Sequence, residues 1–219
     1  MTPPSVRIWD LPTRLFHWSL VALVVFSVTT AKIGGNWMNW HLWSGYAVLA
    51  LIVFRLLWGF AGARYALFSQ FVRGPRAVLD YLRAFVGGAD RHAGHNPLGA
   101  WSVVAMLAAL LVQASTGLFA NDEIATEGPL SKFVSGATAS VMTRVHSLNQ
   151  YVIYALVALH VGAIAYYFFV KRDNLVAPMV TGDKRGIAAE PAQDDALVRA
   201  RAALLALLAT GLVAYVVNM

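Results

Sequence analysis

The stretch Arg144–Lys171, RVHSLNQYVIYALVALHVGAIAYYFFVK, decides how this chain is built. It is a long apolar run with one histidine at its entrance, His146, and a second well inside, His160. Their separation of fourteen residues is about 21 Å along a helix, and the two side chains point within roughly 40° of each other. One helix therefore presents two imidazoles on one face, one toward each side of a bilayer. An imidazole in lipid is costly without a partner, so both histidines are candidate functional residues.

The composition says that the stretch is a membrane span. Of the 219 residues, 58% are hydrophobic and only 13% charged, with a mean hydropathy of +0.59. Soluble domains carry about twice that share of charge, and only a bilayer covers so much apolar surface. The chain reads as an all-α, polytopic membrane helical bundle. The pI near 9.8 does not point to nucleic acid, because the charges are sorted by side. Cysteine is absent, which excludes disulfides, covalently attached c-type haem, iron–sulfur clusters and thiolate metal sites in this chain.

Five apolar segments are long enough to span, at about 15–33, 43–63, 98–120, 147–170 and 200–217. Arg7 and Arg14 precede the first, which is too long for a signal-peptide core and is read as an uncleaved span. Of the 17 lysines and arginines, fourteen lie on one side under this topology, mostly before span one, between two and three, and between four and five, and only Lys32, Lys132 and Arg144 lie on the other. That bias places the N-terminus inside, on the cytoplasmic side, and the C-terminus outside. The opposite side carries the turn GGNWMNW and a loop from Asn121 to Val145 with Asp122, Glu123 and Glu127, while Trp37, Trp40 and Trp43 form an interfacial belt. No internal repeat or domain boundary is visible, so residues 1–219 are taken as one unit.

Within the long inner loop, Val78, Tyr81, Leu82 and Phe85 share one helical face and Arg76, Asp80 and Arg83 the other. This predicts an interfacial helix over 75–86, begun by Pro75 and ended by Gly87-Gly88. Asn96 is the expected N-cap of span three. The polar segment Asp173–Arg199 reads as an exposed, partly mobile connection.

Topology then sorts the histidines by depth. His41 and His146 both start spans at the outer side, while His17 and His160 lie toward the inner side. The loops were placed without using the histidines, yet the four pair two by two. Neutral imidazole is a good ligand of haem iron, and a pair closes both axial positions, leaving an electron carrier with no site for oxygen. The expectation is two haems, an outer one on His41 and His146 and an inner one on His17 and His160. The depths of His17 and His160 differ by about 8 Å, to be absorbed by tilt or by a protruding fourth span. Arg14 and Arg144, each within three residues of a ligand histidine, are candidate propionate partners, with snorkelling as the alternative. Gly45, Gly117 and Gly162 would let a flat macrocycle approach, or serve ordinary helix packing. Gln113 could face a haem or a neighbouring helix, and His92 and His95 are read as surface histidines, with a quinone or proton role for His95 as the alternative.

Four motifs are then familiar: IWDLPTRLFHW (8–18), HLWSGYAVLALIVFRLLWG (41–59), AGHNPLGAW (93–101) and the His146–His160 helix continuing through RDNLVAPMVTG (172–182). Together they resemble the bacterial cytochrome b561 family, nearest the branch holding the b-type subunit of nickel-iron hydrogenases. The resemblance implies a four-helix haem-binding core with a fifth transmembrane helix added. It also implies two b haems on His17, His41, His146 and His160, and electron exchange with a membrane quinone. The partner it implies is a periplasmic dehydrogenase or hydrogenase subunit or a c-type cytochrome, and a homo-oligomer is also compatible.

The leading expectation is a dihaem electron carrier between such a partner and the quinone pool. A stand-alone superoxide:quinone oxidoreductase is the alternative, disfavoured by Asp122, Glu123 and Glu127 at the outer entrance, which would not steer superoxide. A non-redox transporter using intramembrane histidines fits poorly with five spans and no inverted repeat.

Overall fold

The computed structural model describes residues 5–85, 92–122 and 126–219; the sequence expectations for Gly87-Gly88 and Glu123 fall outside them. In order, the elements are β1 (Ser5–Arg7), α1 (Leu11–Ile33), α2 (Met38–Ala61), α3 (Phe68–Phe71), α4 (Pro75–Phe85), α5 (Pro97–Gly117), α6 (Gly136–Phe169), α7 (Val176–Thr181), β2 (Asp183–Arg185) and α8 (Ala196–Val217). Among the described residues five helices, α1, α2, α5, α6 and α8, are long and apolar enough to cross a membrane. The fold is the expected all-α bundle.

Local chemistry sets where the spans begin. Asp10 caps α1 by accepting the Thr13 amide at 2.6 Å, and Asn96 caps α5 from Gly99 at 2.7 Å, ahead of Pro97. Ser135 caps α6 and Asp195 caps α8. Each cap satisfies amides that the helix leaves open. Gly34 and Gly35, at φ +70° and +55°, turn the chain from α1 into α2, a conformation that disfavours any side chain. Large apolar side chains such as Phe60, Leu159 and Leu207 point outward, as lipid contact requires.

Packing is centred on α2, which lies against α1, α5 and α8. Ile52 and Trp58 on α2 are wholly buried, with Trp58 stacked on Phe54 and capped by Arg201 from α8. Helix α6 packs along α5 but makes no extended backbone contact with α1 or α2, so it stands off from both.

Two features differ from the sequence reading and a third agrees with it. Helix α6 starts at Gly136 rather than near 147, because Ser135 begins a helix through polar residues that hydropathy does not register. At 34 residues it is about 51 Å long, well beyond a hydrocarbon core of about 30 Å. The segment after it is not an exposed linker: α7 and β2 organise it, and β2 pairs antiparallel with β1 in the register Val6↔Lys184. The interfacial helix is present as α4, with Tyr81 buried and hydrogen-bonded to Tyr167 of α6 at 2.5 Å.

The bundle end that carries β1, β2, α4 and α7 is the basic end; the end with Trp37, Trp40 and Trp43, exposed by 46–67%, is the tryptophan end. An ion-pair knot closes the basic end. Arg7 meets Asp183 at 2.7 Å and Asp194 at 2.6 Å, while Asp194 also accepts the Leu11 amide and Arg199. Burial alone would push the Asp194 carboxyl up, but hydrogen bonds from Arg199, Leu11 and Arg7 outweigh it and hold it below the ordinary carboxylate range. A depressed pKa contributes stability that is full above the unfolded value of about 3.9 and disappears as pH falls through the folded one. Asp194→Ala should therefore cost roughly 1.5–3 kcal/mol at neutral pH, measured by thermal unfolding in detergent. The difference from wild type should vanish under strongly acidic conditions. Arg83→Ala, which breaks the exposed Arg83–Asp80 pair on α4, should leave the transition unmoved.

Candidate functional site

Four histidines face one another in two pairs. His41 of α2 and His146 of α6 have ring centres 6.0 Å apart with planes at 89°. His17 of α1 and His160 of α6 have centres 6.5 Å apart at 53°. Both pairs bridge the gaps where α6 stands off from α2 and α1. The depth mismatch between His17 and His160 is absorbed, since α6 is long enough to carry its register past the end of α1.

These spacings are informative. One metal ion shared by two facing imidazoles requires ring centres roughly 6 Å apart, given metal–nitrogen bonds of about 2 Å. Direct hydrogen bonding would bring the rings closer, and ordinary packing has no reason to reproduce the distance twice. Among the described residues no cluster of three or more His, Asp or Glu could hold a bare metal ion. The donor set is two isolated imidazole pairs in apolar surroundings, which suits a metal brought in by a macrocycle.

Hydrogen bonds fix the pair at the tryptophan end. His41 Nδ1 lies 2.9 Å from the Ser27 carbonyl and 3.1 Å from its hydroxyl, and His146 Nδ1 lies 2.9 Å from the Gln113 carbonyl. A carbonyl only accepts, so each Nδ1 carries the proton and each Nε2 keeps a free lone pair for a metal. Gln113 spends its side chain on the α5–α6 interface, where its Oε1 accepts from Asn149 at 2.8 Å; Asn149 also donates to the Ala109 carbonyl. Gly117 is required by this pair: a Cβ there would meet His146 Cε1 at 3.0 Å and Nδ1 at 3.2 Å.

A cavity of about 360 Å3 lies around His41 and His146, walled by residues such as Val24, Val48, Leu110 and Ile153. That volume is in the range of small-molecule and cofactor sites. Gly45 is on its wall with open space in front of it. The cation at its mouth is Lys32, which donates to Gln150 at 3.3 Å. Arg144 is exposed and does not line the cavity. Sequence reading passed over Lys32 because it counted only arginines next to histidines, and Lys32 is nine residues from the nearest one.

At the basic end, His17 Nδ1 is buried with no hydrogen-bond partner among the described residues, and Gly162 faces open space. Arg14, a candidate propionate partner, instead donates to the Val180 carbonyl at 2.8 Å and reaches Asp194 at 3.9 Å. Trp18 donates to the Met179 carbonyl at 3.1 Å, so α7 is pinned on both sides of His17. His95 is no surface histidine. Its ring sits between Trp9 at 4.9 Å and Phe71 at 4.7 Å, and its Nδ1 is buried without a partner. Burial, with Arg55 acting the same way, pushes it down to about 3, so it is neutral at physiological pH.

Residues 8–182 match the family model described as prokaryotic cytochrome b561. No curated protein and no solved structure matches. The match takes in all four histidines and ends before α8.

The close approach at Gly117 gives a prediction. Gly117→Ala should displace His146 by a few tenths of an ångström and lower the haem-to-protein ratio after purification. Gly211→Ala, facing open space on α8, should leave that ratio unchanged.

Proposed function

The chain belongs to the prokaryotic cytochrome b561 family and so is a multi-pass membrane b-type cytochrome of electron transfer; we propose that it holds two b haems and links a redox partner on one side of the membrane to the quinone pool. One haem is assigned to His41 and His146, the other to His17 and His160. The observation that carries this reading is the pair of imidazole spacings, 6.0 and 6.5 Å, at opposite ends of the bundle.

Haem in such a site supplies a one-electron carrier. The chain's own residues define what that carrier can do. Each pair would hold its iron with two imidazoles, and the chemistry supplied there would be electron transfer in preference to oxygen chemistry. The carbonyls of Ser27 and Gln113 hold the imidazoles at the tryptophan end in the ligating tautomer, and apolar side chains of α1, α2, α5 and α6 keep water from the iron. Lys32 at the cavity mouth is placed to meet a propionate, a role that sequence reading gave to Arg144.

The tryptophan end is assigned to the periplasm and the basic end to the cytoplasm of a bacterial inner membrane, in accord with the sorting of Lys and Arg. A c-type cytochrome, dehydrogenase or hydrogenase subunit would then meet the haem of His41 and His146, and quinone would be reached through the lipid.

A pyridine haemochrome assay on the purified protein tests the assignment. Two b haems per chain are expected, with His146→Ala and His160→Ala each losing a different one, resolved in reduced-minus-oxidised spectra. A single haem in wild type, or the same haem lost in both variants, would overturn the pairing.

A further inference from the structure

The two imidazole pairs have different surroundings, and from the difference we infer that the His41–His146 pair holds its haem at the lower reduction potential and the His17–His160 pair at the higher. The inference rests on the reading that each pair binds a haem.

An axial imidazole whose Nδ1–H donates to a carbonyl is more basic, and a more basic ligand favours the ferric state. At the tryptophan end both ligands are so placed, His41 on Ser27 and His146 on Gln113, each at 2.9 Å. At the basic end His17 Nδ1 has no such acceptor among the described residues.

A buried cation adds to the difference. Arg55 lies fourteen residues after His41 on α2, the same interval that separates His146 from His160 on α6. It therefore occupies the same face of α2 as His41, about 21 Å along the helix toward the basic end. It is 3% exposed, donates to the Ala66 carbonyl at 3.1 Å, lies over the Phe68 ring at 5.0 Å, and leaves Nη1 unpartnered. Among the described residues no carboxylate is within ion-pairing distance. Asp10, the carboxylate that acts on it, is engaged as the α1 cap. Arg55 also lies 6.0 Å over the Phe71 ring, which packs at 4.7 Å on His95, and His95 is near enough to feel His17 and His160 as well. Being neutral, it adds no charge of its own. A positive charge under-compensated in a low-dielectric interior stabilises the reduced, more negative state of a neighbouring carrier. At the tryptophan end, by contrast, the cavity lining carries a carboxylate, Asp122, as well as a cation, Lys32. The resulting order favours electrons entering at the tryptophan end and leaving at the basic end.

Potentiometric titration of the b-haem absorbance tests this, with components assigned through His146→Ala and His160→Ala, each retaining one haem. The component lost in His146→Ala should have the lower midpoint in wild type. Arg55→Met should move the component lost in His160→Ala to lower potential and leave the other in place, while Arg55→Lys, which keeps the charge, should restore most of the shift. A reversed order in wild type would overturn the inference, as would equal shifts in Arg55→Met and Arg55→Lys, which would mean that packing matters and charge does not. If Arg55→Met fails to assemble, the wild-type order still decides. A single haem component in wild type would instead defeat the two-haem reading on which the inference stands.

Discussion

An imidazole inside an apolar bundle needs its nitrogens accounted for, and the tryptophan end of this structure is arranged around meeting that demand. Leaving such a group dry and unpaired costs several kcal/mol. At the tryptophan end one nitrogen of each ring is committed to a helix carbonyl, 2.9 Å away in both cases, so the other must meet something in the gap. The gap exists because α6 is braced on α5 instead of closing onto α1 and α2. Asn149 supplies part of that brace by donating to the Ala109 carbonyl and to Gln113, and the missing side chain of Gly117 lets the His146 ring sit against α5. Remove the brace and α6 would collapse across the space.

The basic end solves a different problem, that of depth. His17 has to meet His160 although their helices enter the bundle at different heights. Asp10 fixes where α1 starts, and Asp194 gathers Arg7, Arg199 and the Leu11 amide beside it. Arg14 and Trp18, which flank His17, are both tied to carbonyls of α7. Charged residues that hydropathy would treat as topology markers thus form the mount of a histidine. Haem b binding is what membership of the family implies.

The class of the fold and the pairing of the histidines were legible in the sequence because they depend on periodicity and charge sorting. His146 and His160 share a face by helix arithmetic alone, and Asn96 caps α5 where its place ahead of Pro97 put it. What was not legible depended on contacts far apart in the chain. The mixed run 136–145 carries too weak a hydropathy signal, so the helix capped by Ser135 was read as a loop. The strand pairing of Val6 with Lys184 joins segments about 180 residues apart, and nothing local announces it. His95 looked exposed because its neighbours Gly94 and Asn96 are polar, whereas Trp9 and Phe71 close over it from elsewhere. Lys32 and Arg55 were passed over because attention fell on arginines within three residues of a histidine, and neither residue is so placed.

The central claim is that two irons are each held between two imidazoles, and electron paramagnetic resonance of the oxidised protein addresses it most directly. Two low-spin ferric signals are predicted, with negligible high-spin iron. They should differ in anisotropy, because the rings of His41 and His146 are nearly perpendicular and those of His17 and His160 are not. A substantial high-spin signal in the intact protein would mean that an axial position is open, and the paired-histidine account would be wrong.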